Sequence, residues 1–259
     1  MAAAQTPRTS ETRNVVVAAR SDAAKPSRVW ENVKSILGTI AIFLVLRTFF
    51  VEAYRIPSGS MEPTLLVGDW LFVNKLRFGP HVPFSRFNLP GYADPKRGDV
   101  AVFVSPEQFD QPNDPHPTLV KRVQGLPGDT LHMRNGLLHV NGEPRLHPFV
   151  SDTLSDPNRT DPLFVWQRTH ALADSRFGPA PAVPTVDDWG PLLIPPGHYF
   201  MMGDSRYDSK DSRFWGIVPR ENFRGRPLFV YYSFNAKDSD RVLPFVTDIR
   251  WGRIGTLIR

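Results

Sequence analysis

The apolar run Ser35–Leu46, close to the N-terminus, constrains the fold of this chain more than any other feature of its sequence. Between Lys34 and Glu52 the only charged residue is Arg47. A helix over this stretch would be roughly 25 Å long, slightly shorter than the hydrocarbon core of a bilayer at about 30 Å. The long side chain of Arg47 can reach one membrane interface. The run therefore predicts a helix that anchors the chain in a membrane.

Two other interpretations of the apolar run remain open. A cleavable signal peptide also contains a short apolar run, and Val51 and Ala53 are small residues at the spacing of a cleavage site. A helix buried in a soluble core is the third interpretation. The long polar leader before the run, and the charge of Arg47 inside it, favour the anchor over the signal peptide.

The segment before the run is polar and basic, and it has no apolar period. Its composition predicts disorder. Such a segment can meet nucleic acid or anionic lipid. The apolar run that follows favours lipid, so we expect no nucleic-acid partner. Basic residues flanking a membrane helix stay in the cytoplasm, which predicts a cytoplasmic N-terminus and a chain that otherwise lies outside. Residues 1–34 hold six cations against three carboxylates: Arg8, Arg13, Arg20, Lys25, Arg28 and Lys34 against Glu11, Asp22 and Glu31.

The chain after Tyr54 has the pattern of short β-strands. Asn135-Gly136 and Asn141-Gly142 are residue pairs that fit tight hairpin turns. This part of the chain is therefore predicted to be mainly β. Six stretches are rich in β-branched and aromatic residues and are separated by turn residues: DWLFVNKL, GDVAVFVS, TLVKRVQG, TLHMRNGLLHVNG, LLIPPGHYFMMGD and RPLFVYYSFN.

The domain organisation follows from these patterns. Residues 1–32 form the basic tail, residues 33–53 the transmembrane anchor, and residues 54–259 the β domain. Within the β domain, residues 144–191 are rich in proline and lack a strand pattern. This stretch is too long for an ordinary loop, so we predict an inserted subdomain there.

The residue types exclude several kinds of site. The chain has no cysteine, which excludes disulfides, thiolate nucleophiles and cysteine-ligated metals. Its seven histidines are scattered, and none forms an HExxH or comparable ligand spacing. We therefore predict no metal and no other cofactor.

The stretch PSGSMEPTL, Pro57–Leu65, contains two candidate serine nucleophiles. Pro57 and Pro63 stiffen its backbone, and Gly59 permits torsions that other residues avoid. A nucleophilic serine needs a rigid turn with backbone N–H groups directed at the developing oxyanion. By itself the stretch is more typical of an ordinary serine–glycine turn, because no histidine lies within twenty residues of either serine. The GxSxG spacing of α/β-hydrolases is also absent.

A candidate base lies in the strand-like stretch TLVKRVQG. Alternate residues of a strand share a face, so Lys121 lies in a row with Leu119 and Val123, while Val120 and Arg122 point the other way. Burial in such a row disfavours the ammonium form and lowers the lysine pKa. A neutral lysine amine is a competent general base. A lone lysine in this position more often lies at a sheet edge with its ammonium in water.

A third polar stretch, GDSRYDSKDSR at Gly203–Arg213, follows an apolar strand. It contains three aspartates, three serines and two arginines, and it lacks the spacing of an EF-hand calcium loop. Pairs of aspartate and arginine that stabilise the loop are the more frequent explanation. Ser209 could also place its hydroxyl beside an amine.

Together the three stretches suggest a serine–lysine dyad, in which a buried lysine replaces histidine as the base.

With these blocks in order, the chain resembles the bacterial type I signal peptidases, a family of membrane-anchored serine endopeptidases. The resemblance covers residues 33–259. It implies a mainly β fold, with an antiparallel, coiled β-sheet or barrel as catalytic domain, one N-terminal transmembrane helix and an inserted, Pro-rich subdomain. It rests on the membrane segment, PSGSMEPTL, GDWLFVNK, KRGDVAVF with VKRVQGLPGD, and GDSRYDSKDSR.

The resemblance implies a role for individual residues. Ser60 aligns with the nucleophile and Lys121 with the general base. Ser58 aligns with the hydroxyl that forms the oxyanion hole together with the Ser60 N–H, and Ser209 with the serine that orients the lysine amine. The other aligned positions are two structural salt bridges, Arg122 with Asp204 and Asp211 with Arg213, and the substrate pockets for small residues, Ile56, Pro57, Met61, Leu65, Leu71, Val102, Leu119 and Val120.

The chain also departs from the family pattern. Ser205 stands where the last block usually has asparagine, and Leu119 stands where some members carry an aromatic residue. The disulfide of some members is impossible without cysteine. We find one candidate membrane span, whereas some members have two.

The resemblance implies removal of signal peptides after Ala-X-Ala-like sites. The enzyme would be a single-pass protein of the inner (cytoplasmic) membrane, with its catalytic domain on the periplasmic side. Its partners would be exported preproteins and the lipid bilayer. One alternative is a self-cleaving repressor-type serine–lysine protease, which needs a DNA-binding helical domain that residues 1–34 do not suggest. The other is a non-catalytic, membrane-anchored β module, which leaves the position of Lys121 unexplained.

Overall fold

The computed structural model describes residues 28–82, 85, 87–146, 159–172 and 175–259. The predicted tail therefore lies outside the described residues as far as residue 27. The chain divides into two units, with the boundary between Ile42 and Phe43. The second unit contains all of the β-strands described below.

The apolar run lies in helix α1, Arg28–Val45, which continues as a π-helical turn over Leu46–Phe50. The described part of the helix starts at Arg28, five residues before the predicted start of the anchor at residue 33. Among the described residues it is, together with this turn, the one helix long and apolar enough to cross a membrane. None of its residues is buried. This exposure excludes the interpretation of the run as a buried core helix.

The rest of the chain is mainly β, as predicted. Three short helices accompany the strands: α2 (Trp166–Thr169), α3 (Ser212–Trp215) and α4 (Pro244–Thr247). The strands are β1 (Val51–Arg55), β2 (Asp69–Asn74), β3 (Val100–Val104), β4 (Thr118–Gly125), β5 (Thr130–Arg134), β6 (Leu137–Val140), β7 (Glu143–Pro144), β8 (Trp189–Leu193), β9 (His198–Met202), β10 (Val218–Pro219) and β11 (Phe223–Ser233).

The strands form two antiparallel sheets. The larger has seven strands in the order β1-β2-β11-β3-β4-β9-β10, and the smaller has four in the order β7-β6-β5-β8. Strand β11 pairs with β3 near its start and with β2 further along, and its register shifts three times. Such bulges bend a strand and increase its twist. The large sheet therefore curls into a half-barrel, which confirms the predicted antiparallel, coiled sheet.

The two Asn-Gly pairs form the predicted hairpin turns. Asn135 and Gly136 have φ values of 49° and 76° between β5 and β6. Asn141 and Gly142 have φ values of 56° and 89° between β6 and β7. Two successive positive φ angles are characteristic of a type I′ turn, whose twist matches that of antiparallel strands.

Strand β4 separates two parts of the hydrophobic core. Leu119 and Val123 on one face pack in a cluster that includes Phe103 and Phe223. Val120 on the other face packs against a second cluster, which includes Leu71. The predicted alternation along β4 is therefore correct.

The predicted insertion, residues 144–191, is partly ordered and partly outside the described residues. Residues 147–158 and 173–174 are not described. The remainder contains α2 and two 3-10 turns, and β8 begins at Trp189 inside the predicted range. Phe164 and Trp189 are fully buried. Strand β8 and these two aromatic residues therefore belong to the folded core, which the proline content of the stretch did not suggest.

Candidate active site

The serine turn follows directly after β1. The residue just before the turn is bonded to the backbone of β2: the N–H of Ile56 donates to the carbonyl of Asp69 at 2.8 Å. Ser58 is extended, with φ −133° and ψ 157°, and the chain then enters a 3-10 turn, Gly59–Met61. Ser60 and Met61 are buried in this turn. The apolar side chain of Met61 thus packs into the core while Ser60 is held at its edge.

Lys121 meets Ser60 from the middle of β4. Its neighbour across the sheet is Ala101 on β3, whose small side chain leaves space beside the lysine. The Lys121 Nζ donates to Ser60 Oγ at 2.5 Å. The lysine is only 3% exposed, so the alternative of an edge lysine with its ammonium in water is wrong. Two residues that are 61 positions apart in sequence are therefore in hydrogen-bond contact.

Burial lowers the pKa of Lys121 to about 8, from an ordinary value of 10.5. Desolvation is the largest cause. The carboxylates of Asp211, Asp204 and Asp208 raise the pKa, and the Arg213 guanidinium lowers it. At pH 7 a pKa of about 8 leaves roughly a tenth of the lysine neutral, and a neutral amine can accept the proton of a serine hydroxyl.

The loop after β9 holds the serine turn from the other side. Asp211 and Arg213 form a buried ion pair, with Arg213 Nε 2.9 Å from Asp211 Oδ1. Asp211 Oδ2 also accepts from the backbone N–H of Gly203 at 3.1 Å and from Ser209 Oγ at 3.0 Å. A further bond runs from the N–H of Ser205 to the carbonyl of Ser60 at 3.2 Å. This pair therefore shapes the loop that contacts the nucleophile.

A second buried ion pair joins β4 to the same loop. Arg122 donates from Nε to Asp204 Oδ1 at 2.8 Å and from Nη2 to Oδ2 at 2.6 Å. Thr64 donates its hydroxyl to Asp204 Oδ2 at 2.6 Å. Arg122 also reaches the backbone carbonyl of Arg259, at 2.9 Å. The serine turn, the strand of the lysine and the end of the chain thus share one hydrogen-bond network.

The sequence comparisons agree with this geometry. Residues 29–232 match the family described as signal peptidase, peptidase S26. The chain belongs to the signal peptidase family. It is 37% identical to signal peptidase I of Pseudomonas aeruginosa over 212 residues. The aligned residues cover 78% of this chain and 72% of the Pseudomonas protein. It is 32% identical over 218 residues to signal peptidase I of Leptolyngbya laminosa, covering 84% and 86%.

A solved structure of signal peptidase I from Enterococcus faecalis is 26% identical in sequence to this chain, with a TM-score of 0.33. The match covers 51% of this chain and 96% of the Enterococcus chain. Members of the signal peptidase family are peptidases, so this chain is a hydrolase. The family assignment thereby excludes the two alternatives considered from the sequence, a repressor-type protease and a non-catalytic β module.

In this signal peptidase family member, most of the predicted pocket residues lie together. The exceptions are Pro57, which is exposed, and Leu119, which packs in the other cluster across β4. Ser209 contacts Asp211 rather than making the predicted bond to Lys121. The remaining six pocket residues share one apolar cluster, with Val120 partly buried against it and the others buried: Ile56, Met61, Leu65, Leu71, Val102 and Val120.

The sequence reasoning missed several residues that hold the serine turn. Asp69 accepts from Arg253 Nε at 3.0 Å and from Ser233 Oγ at 2.7 Å, and it also accepts from the N–H of Leu66 at 2.9 Å. Arg253 donates to the carbonyl of Thr64 at 3.0 Å. Asp69 lies in the aligned block GDWLFVNK, and this position could have suggested a structural role for it. Arg253 lies outside every aligned block, so no sequence signal suggested its role.

Two carboxylates flank the glycine of the serine turn. A methyl group built on Gly59 would lie 3.2 Å from Asp208 Oδ2 and 3.2 Å from Glu62 Oε1. Asp208 lies in the polar stretch Gly203–Arg213, but the sequence did not predict a role for it. Within the described residues, no group of three or more histidine, aspartate or glutamate side chains could hold a metal ion.

Proposed function

We propose that this chain removes N-terminal signal peptides from exported preproteins, with Ser60 as nucleophile and Lys121 as general base. The observation that carries the proposal is the 2.5 Å contact between Lys121 Nζ and Ser60 Oγ in a member of the signal peptidase family. The names of the relatives, signal peptidase I, support the substrate class.

The reaction follows from the neutral lysine. Lys121 takes the proton from Ser60 Oγ as this oxygen attacks the scissile carbonyl. The tetrahedral intermediate collapses, the amide bond breaks, and the leaving amine takes the proton from Lys121. Water then loses a proton to the same lysine and attacks the acyl-enzyme. As the ester bond breaks, Lys121 returns this proton to Ser60 Oγ. This sequence uses one group as both base and acid, which suits a pKa of about 8.

The oxyanion is held by the backbone N–H of Ser60 and the hydroxyl of Ser58. Ser58 Oγ lies 3.4 Å from Ser60 Oγ, on the exposed side of the turn. Loss of one oxyanion donor typically costs about 3 kcal/mol in the barrier. Ser58→Ala should therefore keep slow activity, whereas Ser60→Ala should have none.

Specificity for small residues before the cleavage site is assigned to the apolar cluster beside the turn. Ile56, Met61 and Leu65 are buried at its edge next to Ser60. We assign the short side chains of Ala-X-Ala sites to the surface of this cluster beside Ser60. Pro57, which is exposed, is assigned to the outer part of this substrate surface. Ser209 is a positioning residue that acts through Asp211.

The domain organisation completes the proposal. Residues 1–32 are the cytoplasmic tail, and residues 33–53, which contain most of α1, are the single membrane anchor. Residues 54–259 form a catalytic domain on the periplasmic side of the inner membrane. The full exposure and the apolar character of α1 support this arrangement. The apolar segment of a substrate would lie in the same bilayer, so the scissile bond and Ser60 would meet near its outer surface.

The test is cleavage of a synthetic preprotein by the full chain in detergent, with the product N-terminus identified by mass spectrometry. Wild type should cut after an Ala-X-Ala site, and Lys121→Ala should give no product while keeping its circular dichroism. Lys96→Ala, an exposed lysine, is the matched control and should remain active. Near-normal processing by Lys121→Ala would refute the dyad.

The anchor and its orientation are tested separately in cells. Resistance of the full chain to carbonate extraction is expected if α1 spans the membrane. Protease added to spheroplasts should degrade residues 54–259, since we place them outside. Protection of the catalytic domain under these conditions would reverse the proposed orientation.

A further inference from the structure

A charged cavity lies where the chain passes from α1 into β1. Its volume is about 590 Å³. Three cationic side chains line it, Arg47, Lys75 and Arg224, together with one carboxylate, Glu52. These four groups leave a net charge of +2. None of them belongs to the serine–lysine site, so the cavity needs a separate explanation.

The one carboxylate of this cavity already has partners. Glu52 Oε2 lies 3.1 Å from Lys75 Nζ. The pKa of Tyr54 is raised, first by burial and then by the nearby charge and hydrogen bond of Glu52. Arg224 donates from Nη1 to the backbone carbonyl of Glu221 at 2.9 Å, a neutral acceptor. The positive charge of Arg224 and Arg47 therefore exceeds what Glu52 can neutralise.

The position of the cavity indicates the kind of anion that would balance this charge. Arg47 lies in the π-helical turn that follows α1, and Leu44 from the last turn of α1 also lines the cavity. Leu44 is 51% exposed. With α1 as the proposed membrane anchor, on which this inference rests, the cavity opens at the membrane interface. Lipid phosphates lie at that level, directly above the first methylenes of the acyl chains.

We propose that this cavity binds the phosphodiester headgroup of an anionic phospholipid from the outer leaflet. Arg224 and Arg47 hold the phosphate oxygens, because a guanidinium presents paired N–H donors that match them. Thr48 adds a hydroxyl to the polar wall, and Leu44 contacts the upper acyl chain. A free phosphate ion would lack this apolar contact, which selects the lipid as the occupant.

The headgroup site also has a consequence for the peptidase. Strand β1 begins at Val51 and leads, through Ile56, into the turn of Ser60. A headgroup held beside Glu52 therefore fixes the start of this strand at the membrane surface. Bound lipid would restrain the position of the nucleophile relative to a substrate in the same bilayer.

The experiment is native mass spectrometry of the full chain in a neutral detergent, titrated with phosphatidylglycerol or phosphatidylcholine. Wild type should retain one phosphatidylglycerol at least about tenfold more tightly than phosphatidylcholine. Both lipids carry the phosphodiester, but the choline cation of phosphatidylcholine is repelled by the net positive charge of the cavity. Arg224→Gln should remove this preference. Arg47→Gln, which lies on an exposed turn and does not endanger the fold, should weaken it in the same direction. Lys237→Gln, an exposed lysine outside the cavity, is the charge-matched control and should leave it unchanged.

Three outcomes would overturn the headgroup site. They are equal retention of the two lipids by wild type, equal loss of preference in Lys237→Gln and Arg224→Gln, and displacement of phosphatidylglycerol by inorganic phosphate at similar concentrations. The last result would identify a site for free phosphate. Because the titration is done in micelles, it is independent of carbonate extraction and of preprotein cleavage, so its failure is distinguishable from failure of the proposed anchor or dyad.

Discussion

Replacement of Lys121 by methionine should abolish activity and yet stabilise the folded protein near neutral pH. The lysine is 3% exposed and its pKa is lowered from 10.5 to about 8. A difference of this size corresponds to about 3 kcal/mol of unfavourable free energy in the folded state. Methionine is similar in length, unbranched and uncharged, so it removes this cost. It also removes the hydrogen bond to Ser60, worth about 1 kcal/mol.

The sign of the effect changes with pH. Between pH 8 and pH 10.5 the unfolded lysine binds a proton that the folded lysine does not, so the stability of wild type rises with pH in this window. Below pH 8 the full cost is present, and Lys121→Met should be more stable than wild type by about 2 kcal/mol. Above pH 10.5 the lysine is neutral in both states, and the variant should be less stable by about 1 kcal/mol, the lost hydrogen bond.

The assay is urea denaturation of the full chain in detergent, followed by tryptophan fluorescence at pH 6.5 and pH 10.5. Trp189 and Trp215 are buried and report on the β domain. The exposed variant Lys96→Met is the control and should stay within about 0.5 kcal/mol of wild type at both pH values. A Lys121→Met protein that is less stable than wild type at pH 6.5, or whose difference from wild type is the same at both pH values, would refute the reasoning from burial.

Three further predictions concern the residues around the dyad. Gly203→Ala should lower kcat by about a hundredfold, because its methyl would overlap Ser209 Oγ and the Ser60 carbonyl oxygen. In the control Gly252→Ala the added methyl has nothing within 4 Å, so kcat should stay unchanged. Asp208→Asn should shift the acidic limb of the kcat/KM profile to lower pH, because the Asp208 charge raises the pKa of Lys121; a shift to higher pH would contradict this. Asp204→Asn should lower the free energy of unfolding by about 3 kcal/mol, since it removes the charge of Asp204 from its buried ion pair with Arg122. The control Asp94→Asn breaks an ion pair whose carboxylate is 78% exposed, and its denaturation should show a loss below about 1 kcal/mol.

Local pattern was sufficient for the features that depend on neighbouring residues. The two Asn-Gly turns need only positive φ angles, which these residue types favour. The alternation along β4 depends only on the pleat of a strand, so the row of Leu119, Lys121 and Val123 was predictable. The apolar run near the N-terminus could be interpreted as an exposed helix from its composition. The family resemblance, carried by short blocks in order, supplied the pairing of Ser60 with Lys121.

Local pattern could not predict which distant strands pair with each other. Strand β11 lies between β2 and β3 although it is the last in sequence, and this order brings the C-terminal segment beside the serine turn. Strand pairing over such separations depends on loop closure and on the packing of the whole core, for which no local sequence signal exists.

The sequence by itself thus determined the apolar N-terminal helix, the mainly β character and the chemical types available for catalysis. Only the tertiary structure decided that Arg253 supports Thr64 and that Leu119 packs away from the predicted pocket. It also placed Arg224 beside Arg47 in a cavity at the end of α1. The physical reason is the same in each case: local sequence fixes the element and the face on which a residue lies, but the neighbours of that residue come from distant parts of the chain.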